Sequence, residues 1–318
     1  MSTFDAYAHL GVVDDGDGTF RRNREFPGAE TNPEPVPGNP TVSKDVTLNA
    51  NNRTKLRIFR PVKLPSNDNT VARLPIILKF HGGGFVLYSG LDIVCHRTCT
   101  RLASEIPAIV ISVDYRLAPE HRLPACYEDA VEAILWVKQQ ASDPEGEEWI
   151  TNYGDFTRCY LYGRGNGGNI VFHAALKAIE LCLGPVKIAG LVFNQPMFSG
   201  VRRTGTEIKY AADQLLPLPV LDALWELSLP KGTDRDHRFA NIFIDGPHKT
   251  KLKSLPRCLV IGFGFDPMFD RQQDFVQLLA LNGVQVEAQF DDTGFHAVDI
   301  VDKRRGLAIL KIVKDFII

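Results

Sequence analysis

The sequence predicts an α/β fold in which a mostly parallel sheet is covered by helices on both faces. Short apolar runs typical of strands buried on both faces recur along the chain, at Leu74–Phe80, 108–113, 159–162, 188–193 and 258–261. Helix-length segments such as 126–140 and 169–183 separate these runs. Alternation of strands and helices is typical of a parallel sheet whose crossover helices pack on both of its faces.

The N-terminal region, up to about residue 40, predicts an arm or part of a lid rather than a long helix. An acidic turn cluster at 14–18 and the prolines at 27, 33, 35, 37 and 40 interrupt any helical periodicity. A calcium-binding loop starting at Asp15 would need a glutamate at position 26, where the sequence has Phe26, so that alternative is disfavoured. Early strands are predicted at 46–48 and 56–59.

One apolar segment, 210–229, interrupts the alternation of strands and helices. It is partly helical in pattern and has Pro217 and Pro219 near its start. We expect a cap helix over a pocket, since such folds carry insertions at this point, and a further core helix is the alternative. The sequence therefore predicts one domain over residues 1–318, with a cap formed by about 1–40 and 205–230.

A last helix is predicted near the C terminus. Leu307, Leu310, Val313 and Ile317 recur at spacings of three and four, as the buried face of a helix does.

The composition favours a cytoplasmic globular protein that acts on a small molecule. Hydrophobic residues make up 44% of the chain, and 36 basic side chains nearly balance 38 acidic ones. Such a balance gives no broad field to attract nucleic acid or an anionic membrane, and no apolar run is long enough for a membrane span. No secretory signal is visible, and the six scattered cysteines predict reduced thiols.

A glycine loop directly follows the buried strand Leu74–Phe80. It reads His81-Gly82-Gly83-Gly84. Consecutive glycines at a strand end allow backbone N–H groups to turn toward one point, as an oxyanion hole requires. Because the strand before it makes the motif specific, we predict oxyanion donors at Gly83 and Gly84.

A second marker is the segment 114–125, which reads Asp-Tyr-Arg-Leu-Ala-Pro-Glu-His-Arg-Leu-Pro-Ala. Taken alone, it predicts an ordered turn held by buried Arg–carboxylate contacts. Together with the glycine loop, it makes the whole chain resemble the plant carboxylesterases, which are hormone-sensitive-lipase-like α/β-hydrolases related to the gibberellin receptors. The resemblance implies an α/β-hydrolase fold with a helical cap.

The family orders its catalytic triad serine, aspartate, histidine along the chain. The resemblance assigns the acid to Asp266, in Gly-Phe-Asp-Pro, and the base to His296, in Gly-Phe-His-Ala. Each follows a predicted strand, at 258–261 and 284–290. Asp266 is expected to orient the imidazole and to stabilise its protonated form.

The nucleophile is missing from its expected place. Residues 162–169 read Tyr-Gly-Arg-Gly-Asn-Gly-Gly-Asn, with the strand, helix and flanking glycines of a nucleophile turn. The family usually has Asp-Ser-Ala where this sequence has Arg164, Gly165 and Asn166. Gly165 thus stands at the nucleophile position with no Ser, Cys or Thr within one residue, which excludes the usual acyl-enzyme route. Three adjacent departures are typical of natural divergence rather than of one designed change.

Neighbouring residues complete the predicted site. The Asn166 N–H is expected to be an oxyanion donor, with its side chain adding polar contacts if it faces the pocket. Arg164 is a candidate for binding a carboxylate, although this position often points away from the ligand. Phe85 and Tyr88, after the glycine loop, are predicted to line the pocket, with core packing as the alternative.

Neither a metal ion nor a cofactor is expected. His96 lies between Cys95 and Cys99 on what would be one helical face, but no second ligand pair follows at a suitable spacing. We therefore expect these three side chains to pack rather than to bind metal.

Three functions fit these residues. The favoured one is a non-hydrolytic enzyme in which His296 and Asp266 transfer protons during proton abstraction, elimination or cyclisation. The resemblance supports it, since relatives in plant specialised metabolism include a dehydratase and alkaloid cyclases. The second is a binding protein similar to the gibberellin receptors, which lose the histidine and keep the serine, the reverse of this chain. The third is slow ester hydrolysis by water that His296 activates.

Overall fold

Strands and helices alternate along most of the described residues, 4–17, 19–67 and 70–318 of this computed structural model. The strands are β1 (Val12–Asp14), β2 (Phe20–Arg22), β3 (Thr41–Asn49), β4 (Thr54–Pro61), β5 (Ser66–Asn67), β6 (Thr70–Val71), β7 (Leu74–Phe80), β8 (Ile109–Asp114), β9 (Gly154–Arg164), β10 (Ile188–Asn194), β11 (Cys258–Phe263) and β12 (Val286–Asp291). The helices are α1 (Ala6–Leu10), α2 (Ile93–Glu105), α3 (Ala125–Ser142), α4 (Glu148–Tyr153), α5 (Asn166–Ala178), α6 (Gly205–Lys209), α7 (Leu218–Ser228), α8 (Phe269–Leu281), α9 (Val298–Val301) and α10 (Lys303–Ile317), with a 3₁₀ turn at Lys249–Ser254.

The main sheet has the strand order β12-β11-β10-β9-β7-β8-β4-β3. Its strands from β12 to β8 pair in parallel, and β4 and β3 add antiparallel at one edge. Every residue of the central strand β7 is buried, as expected of a strand with helices on both faces. The predicted α/β fold with a mostly parallel sheet is confirmed.

Side chains of successive strand residues enter two separate cores. On one face, Ile76 and Leu78 of β7 belong to a cluster with helices α3, α5 and α7. On the other face, Ile77 belongs to a cluster with α2 and α10. The period of two along a strand therefore explains why the central strands read as continuous apolar runs.

The parallel strands bring several loops to one edge of the sheet. The glycine loop follows β7, Gly165 follows β9, Asp266 follows β11 and His296 follows β12. Because these strands run in the same direction, their carboxyl ends meet at this edge, where ligands bind in open α/β sheets.

The segments predicted to form a cap lie close to this edge. Helix α7, within 205–230, packs against helix α1 of the N-terminal arm. Arg22 fastens the arm by donating to the carbonyl oxygens of Val86 (2.9 Å) and Ala118 (2.7 Å) and by pairing with Glu120 at 2.6 Å. Residues 1–3 and 18 of the arm lie outside the described residues, and the division into one domain with a cap stays a prediction.

Helix α10 buries a different face from the predicted one. Leu307 is 46% exposed and Leu310 is half-buried, whereas Ile309 is 4% exposed. The buried positions are Gly306, Ile309, Val313, Phe316 and Ile317. Since each helical residue turns by about 100°, Leu307 points away from the buried side of the helix, where Gly306 approaches the Asp299 carbonyl oxygen of α9. The prediction was right for Val313 and Ile317 and wrong for Leu307.

Two matched substitutions in α10 test this face. We expect Ile309→Ala to lower the free energy of unfolding by about 2–5 kcal/mol, because it leaves a cavity against the sheet. Leu307→Ala removes an exposed side chain of the same size and should change it by less than about 0.5 kcal/mol. Urea unfolding measures both, and equal losses would contradict the observed face.

Candidate active site

His296 and Asp266 form a hydrogen-bonded pair at the carboxyl edge of the sheet. The Nδ1 atom of His296 lies 2.8 Å from Oδ2 of Asp266, and Asp266 is fully buried. The carboxylate also accepts hydrogen bonds from the Met268 N–H (2.9 Å) and from Nε2 of Gln272 (3.0 Å). With Nδ1 engaged, Nε2 of the imidazole is the ring nitrogen left for the pocket.

A buried glutamine that sequence reasoning missed holds the backbone around His296. Gln195 donates from Nε2 to the Phe295 carbonyl oxygen (3.0 Å) and accepts at Oε1 from the Ala297 N–H (2.9 Å). These two contacts fix the chain on both sides of the histidine. The only sequence signal for Gln195 is its place directly after a buried strand.

Gly165 occupies the turn between β9 and α5. Its φ of +56° and ψ of −124° lie outside the regions that side chains favour. A Cβ atom built on Gly165 would lie 3.5 Å from Nε2 of His296, so a side chain at this position would point at the imidazole. The structure thus brings Gly165, His296 and Asp266 together at this edge of the sheet.

The glycine loop needs its glycines for space as well as for conformation. Gly83 and Gly84 have φ values of +115° and +63°. A Cβ on Gly83 would lie 2.3 Å from the Leu87 carbonyl oxygen, and one on Gly84 would lie 2.5 Å from the Leu224 side chain of α7. Side chains at either position would therefore clash.

The side chain of Asn166 changes the predicted oxyanion hole. Its Oδ1 accepts a hydrogen bond from the Gly84 N–H (2.8 Å), and its Nδ2 donates to the Tyr115 hydroxyl (3.0 Å). Asn166 is 1% exposed, so it turns into the loop rather than toward a ligand. The expected donor at Gly84 is therefore already bonded within the protein.

Two of the predicted donors are left for a ligand. Among the described residues, the Gly83 N–H has no hydrogen-bond acceptor. The Asn166 N–H opens helix α5, where the first N–H groups have no acceptor inside the helix.

His81 has a structural place beside this loop. Its ring stacks on Tyr115 with centroids 4.2 Å apart, and burial lowers its pKa to about 3. The imidazole is therefore neutral at ordinary pH and stays inside the protein.

A cavity of about 230 Å³ opens beside Gly165 and His296. Its walls come from the glycine loop, the arm, the α7 region and the loops after β11 and β12. The lining residues are His9, Leu10, Arg24, Gly82, Gly83, Gly84, Leu87, Tyr88, Arg164, Gly165, Asn166, Met197, Leu215, Leu216, Val220, Leu224, Met268, Phe295, His296, Ala297, Ile300 and Val301. Most of this surface is apolar.

The two aromatic residues predicted to line this cavity differ in position. Tyr88 lines it, and its ring packs on that of Phe26 with the centroids 4.2 Å apart. Phe85 does not line it. This residue is 1% exposed, and its ring packs against that of Trp225 with the centroids 5.5 Å apart. The prediction for Phe85 is corrected to its alternative, core packing.

Arg164 also reaches the cavity. Its Nη1 lies 3.5 Å from Oδ1 of Asp299 in helix α9. Neither of these two buried atoms has a hydrogen-bond partner among the described residues. The guanidinium is therefore near a carboxylate but poorly bonded to it.

The residues considered for a metal site pack instead. Cys95 and Cys99 are buried, and Cys95 Sγ lies 3.3 Å from Nζ of Lys79. The His96 ring packs on the Phe59 ring with the centroids 5.0 Å apart. Within the described ranges, no cluster of His, Cys, Asp and Glu has the geometry of a metal site. Likewise, no helix in the described part of the chain has the length and apolar character needed to cross a bilayer.

Comparison with known proteins assigns the chain to a family. A family model of the alpha/beta hydrolase fold matches residues 77–300. A probable carboxylesterase of Arabidopsis thaliana is 52% identical over 315 residues, which cover 99% of this chain and 97% of that relative. The chain belongs to the plant carboxylesterase family of α/β-hydrolases.

The family contains proteins with different activities. A 2-hydroxyisoflavanone dehydratase of Glycine max is 32% identical over 283 residues, covering 87% of this chain and 86% of the relative. A gibberellin receptor of Arabidopsis thaliana is 30% identical over 283 residues, covering 85% and 79%. An esterase of the archaeon Pyrobaculum calidifontis aligns in structure with a TM-score of 0.70 and 27% identity, over 85% of this chain and 83% of that one.

The backbone of the turn at Gly165 can be tested by stability. We expect Gly165→Ser to lower the free energy of unfolding by about 1–3 kcal/mol, because a side chain is strained at this φ and ψ. Gly28→Ser is the matched control, since a Cβ there would meet nothing within 4 Å and its φ is not in the left-handed region. Equal urea unfolding curves for the two variants would show that the turn is not strained.

Proposed function

We propose that this protein is a member of the family without the nucleophilic serine, and that its His296–Asp266 pair transfers protons on a small molecule bound in the cavity. The observation that carries the proposal is the setting of Gly165. A Cβ atom there would face Nε2 of His296 at 3.5 Å, which is where the side chain of a nucleophile would be activated by the base.

The rest of the cavity offers no replacement nucleophile of the usual kind. Among the residues that line it, none is Ser, Thr or Cys. An acyl-enzyme mechanism needs such a side chain within hydrogen-bond reach of the base. General acid–base chemistry needs only the histidine and its orienting carboxylate, and both are in place.

The proposed reaction begins with proton abstraction beside a carbonyl group. Nε2 of His296 accepts the proton, and the electron pair of the broken C–H bond moves toward the carbonyl oxygen. The Gly83 and Asn166 N–H groups stabilise the negative charge on that oxygen. Asp266 stabilises the imidazolium that forms.

In the second half of the proposed reaction, the His296 imidazolium gives the proton back. In an elimination, the electron pair forms a C=C bond as a hydroxyl group on the next carbon leaves, and His296 protonates that group to give water. In a cyclisation, the imidazolium returns its proton after a new bond has formed between two parts of the substrate. The dehydratase among the relatives supports elimination as a reaction that this fold accommodates.

Two other functions are compatible with the family. The gibberellin receptor among the relatives supports ligand binding without chemistry. The intact His296–Asp266 hydrogen bond favours chemistry, because a binding protein has no need of an oriented base. Slow ester hydrolysis is the third function, with His296 activating a water molecule beside Gly165.

Hydrogen exchange tests proton abstraction directly. We expect the protein to accelerate deuterium uptake beside the carbonyl of small aryl ketones such as 4-chromanone and 1-indanone in D₂O, followed by NMR. His296→Ala should lower this rate by about 10²–10⁴-fold, because it removes the base. His248→Ala is the matched control, because His248 bonds to the Ile242 carbonyl outside the cavity. Equal rates for the protein and His296→Ala would contradict the proposal.

Restoring the serine tests the oxyanion hole. Gly165→Ser should hydrolyse p-nitrophenyl acetate through an acyl-enzyme and should be labelled by a serine-directed phosphonate, whereas the unmodified protein should not be labelled. The double variant Gly165→Ser/Asn166→Ala should hydrolyse the ester at a rate on the order of 10² times that of Gly165→Ser, because it frees the Gly84 N–H. The initial burst and the steady rate of p-nitrophenol release measure both.

Each remaining outcome of the ester assay has a distinct meaning. Labelling of the unmodified protein at 164–166 would show that the nucleophile position has been wrongly assigned. Hydrolysis by the unmodified protein that depends on His296 would favour water-based esterase activity. Equal rates for the single and double variants would show that Asn166 does not limit the hole.

A further inference from the structure

We infer that the cavity takes an apolar molecule that carries a negatively charged group, such as a carboxylate, and that Arg164 binds this group. This ligand would be the substrate of the proposed proton transfer, so its place beside His296 rests on that proposal. Its charge class follows from different observations, given below.

The charges around the cavity are of one sign. Its lining includes two arginines, Arg24 and Arg164, and none of the lining residues is Asp or Glu. The remaining walls are largely apolar, with Leu216, Val220 and Leu224 on the side of α7. An apolar cavity with positive charges and no acidic lining residue complements a molecule with an apolar body and an anionic end.

Arg164 has unused hydrogen-bonding capacity. Its side chain is 16% exposed, yet within the described part of the chain its guanidinium donates no hydrogen bond. The 3.5 Å to Asp299 exceeds the usual range for an N–H···O bond. Asp299 is itself engaged by Nδ2 of Asn194 at 3.3 Å. A largely buried guanidinium without acceptors is costly, and an anion in the cavity would supply them.

The guanidinium lies beside Gly82, which lines the cavity together with His296. Arg164 also lines a smaller neighbouring pocket with Lys79 and Asp299. A Cβ built on Gly82 would lie 3.6 Å from Nη2 of Arg164, and one built on Gly165 would lie 4.0 Å from the Cα of Gly82. The same Gly165 position faces His296. A planar anion on Arg164 would therefore hold the adjoining carbon atoms of the ligand near the base, since guanidinium binds carboxylate through two parallel hydrogen bonds.

Arg24 adds charge at the exposed side of the cavity. Its side chain is exposed and makes no ion pair with any described residue. A positive charge at the mouth attracts anions by long-range electrostatics. Arg164 would then bind the anionic group that Arg24 attracts.

A matched pair of ligands tests the charge class by isothermal titration calorimetry. The probes are 3-phenylpropanoate and its neutral analogue 3-phenylpropanamide, which share the apolar body. We expect the acid to bind at least ten times more tightly than the amide. In Arg164→Gln this preference should fall below threefold, with the affinity of the amide unchanged within a factor of two.

Two further variants separate a specific contact from other effects. Arg101→Gln removes an exposed positive charge of helix α2 outside the cavity and should leave the tenfold preference intact. Asp299→Asn keeps Arg164 but removes the carboxylate that faces it, and it should tighten binding of the acid by at least threefold. It also tests the inference independently if Arg164→Gln fails to fold.

Other results would overturn the inference. With the unmodified protein, these are an amide affinity equal to that of the acid, or no binding of either probe at millimolar concentration. With the variants, they are an equal loss of affinity for both ligands in Arg164→Gln, the same loss of acid preference in Arg101→Gln, or weaker acid binding in Asp299→Asn. To keep the two proposals separate, deuterium exchange is also measured on 3-benzoylpropanoate, an aryl ketone with a carboxylate. A preference for acids without exchange on this ketone would refute the proposed function alone.

Discussion

Helix α5 begins so close to strands β7 and β9 that no side chain fits between them at its first turn. A Cβ on Gly163 would lie 2.0 Å from the Gly167 carbonyl oxygen, and a Cβ on Gly167 would lie 2.2 Å from the Phe80 carbonyl oxygen. This contact fixes the start of α5 against the end of β7, where the glycine loop begins. It therefore places Asn166 beside the glycine loop and Gly165 opposite His296. The flanking glycines meet a packing requirement that holds whatever residue stands at 165.

The histidine and the aspartate depend on a second set of buried contacts. Gln195 and Gln272 are both fully buried, and each uses its amide on one member of the pair. Gln195 fixes the backbone on both sides of His296, and Gln272 bonds the carboxylate of Asp266. Gln195 bonds through both ends of its amide and resists rearrangement, because breaking these bonds leaves unpaired polar groups. Gln272 bonds only through Nε2, since its Oε1 has no hydrogen-bond partner among the described residues. The segment that carries Gln195 also bonds the turn at Gly165, through the Asn194 carbonyl oxygen (3.0 Å) and the Met197 N–H (3.0 Å). The backbone around the histidine and the turn at Gly165 are thus held by the same short stretch of chain.

Much of the fold could be predicted from the sequence, because apolar runs and their order along the chain determine a parallel sheet. The assignment of Asp266 and His296 came from the family resemblance, supported by their places after predicted strands. The direction of the Asn166 side chain could not be predicted, since its partner Tyr115 lies in the loop after β8 and is brought near only by folding. Phe85 and Tyr88 both have positive φ values, and the sequence has no signal for which of them faces the cavity.

The bond between Asn166 and the Gly84 N–H has an evolutionary consequence. In a serine esterase of this fold, a side chain that fills this donor would weaken transition-state binding and would be selected against. Once serine is absent, the same side chain is tolerated and pairs a buried N–H group that would otherwise lack an acceptor. If Gly165 stands at the nucleophile position, as proposed, asparagine at 166 would lower the benefit of a serine at 165, because it occupies the Gly84 N–H.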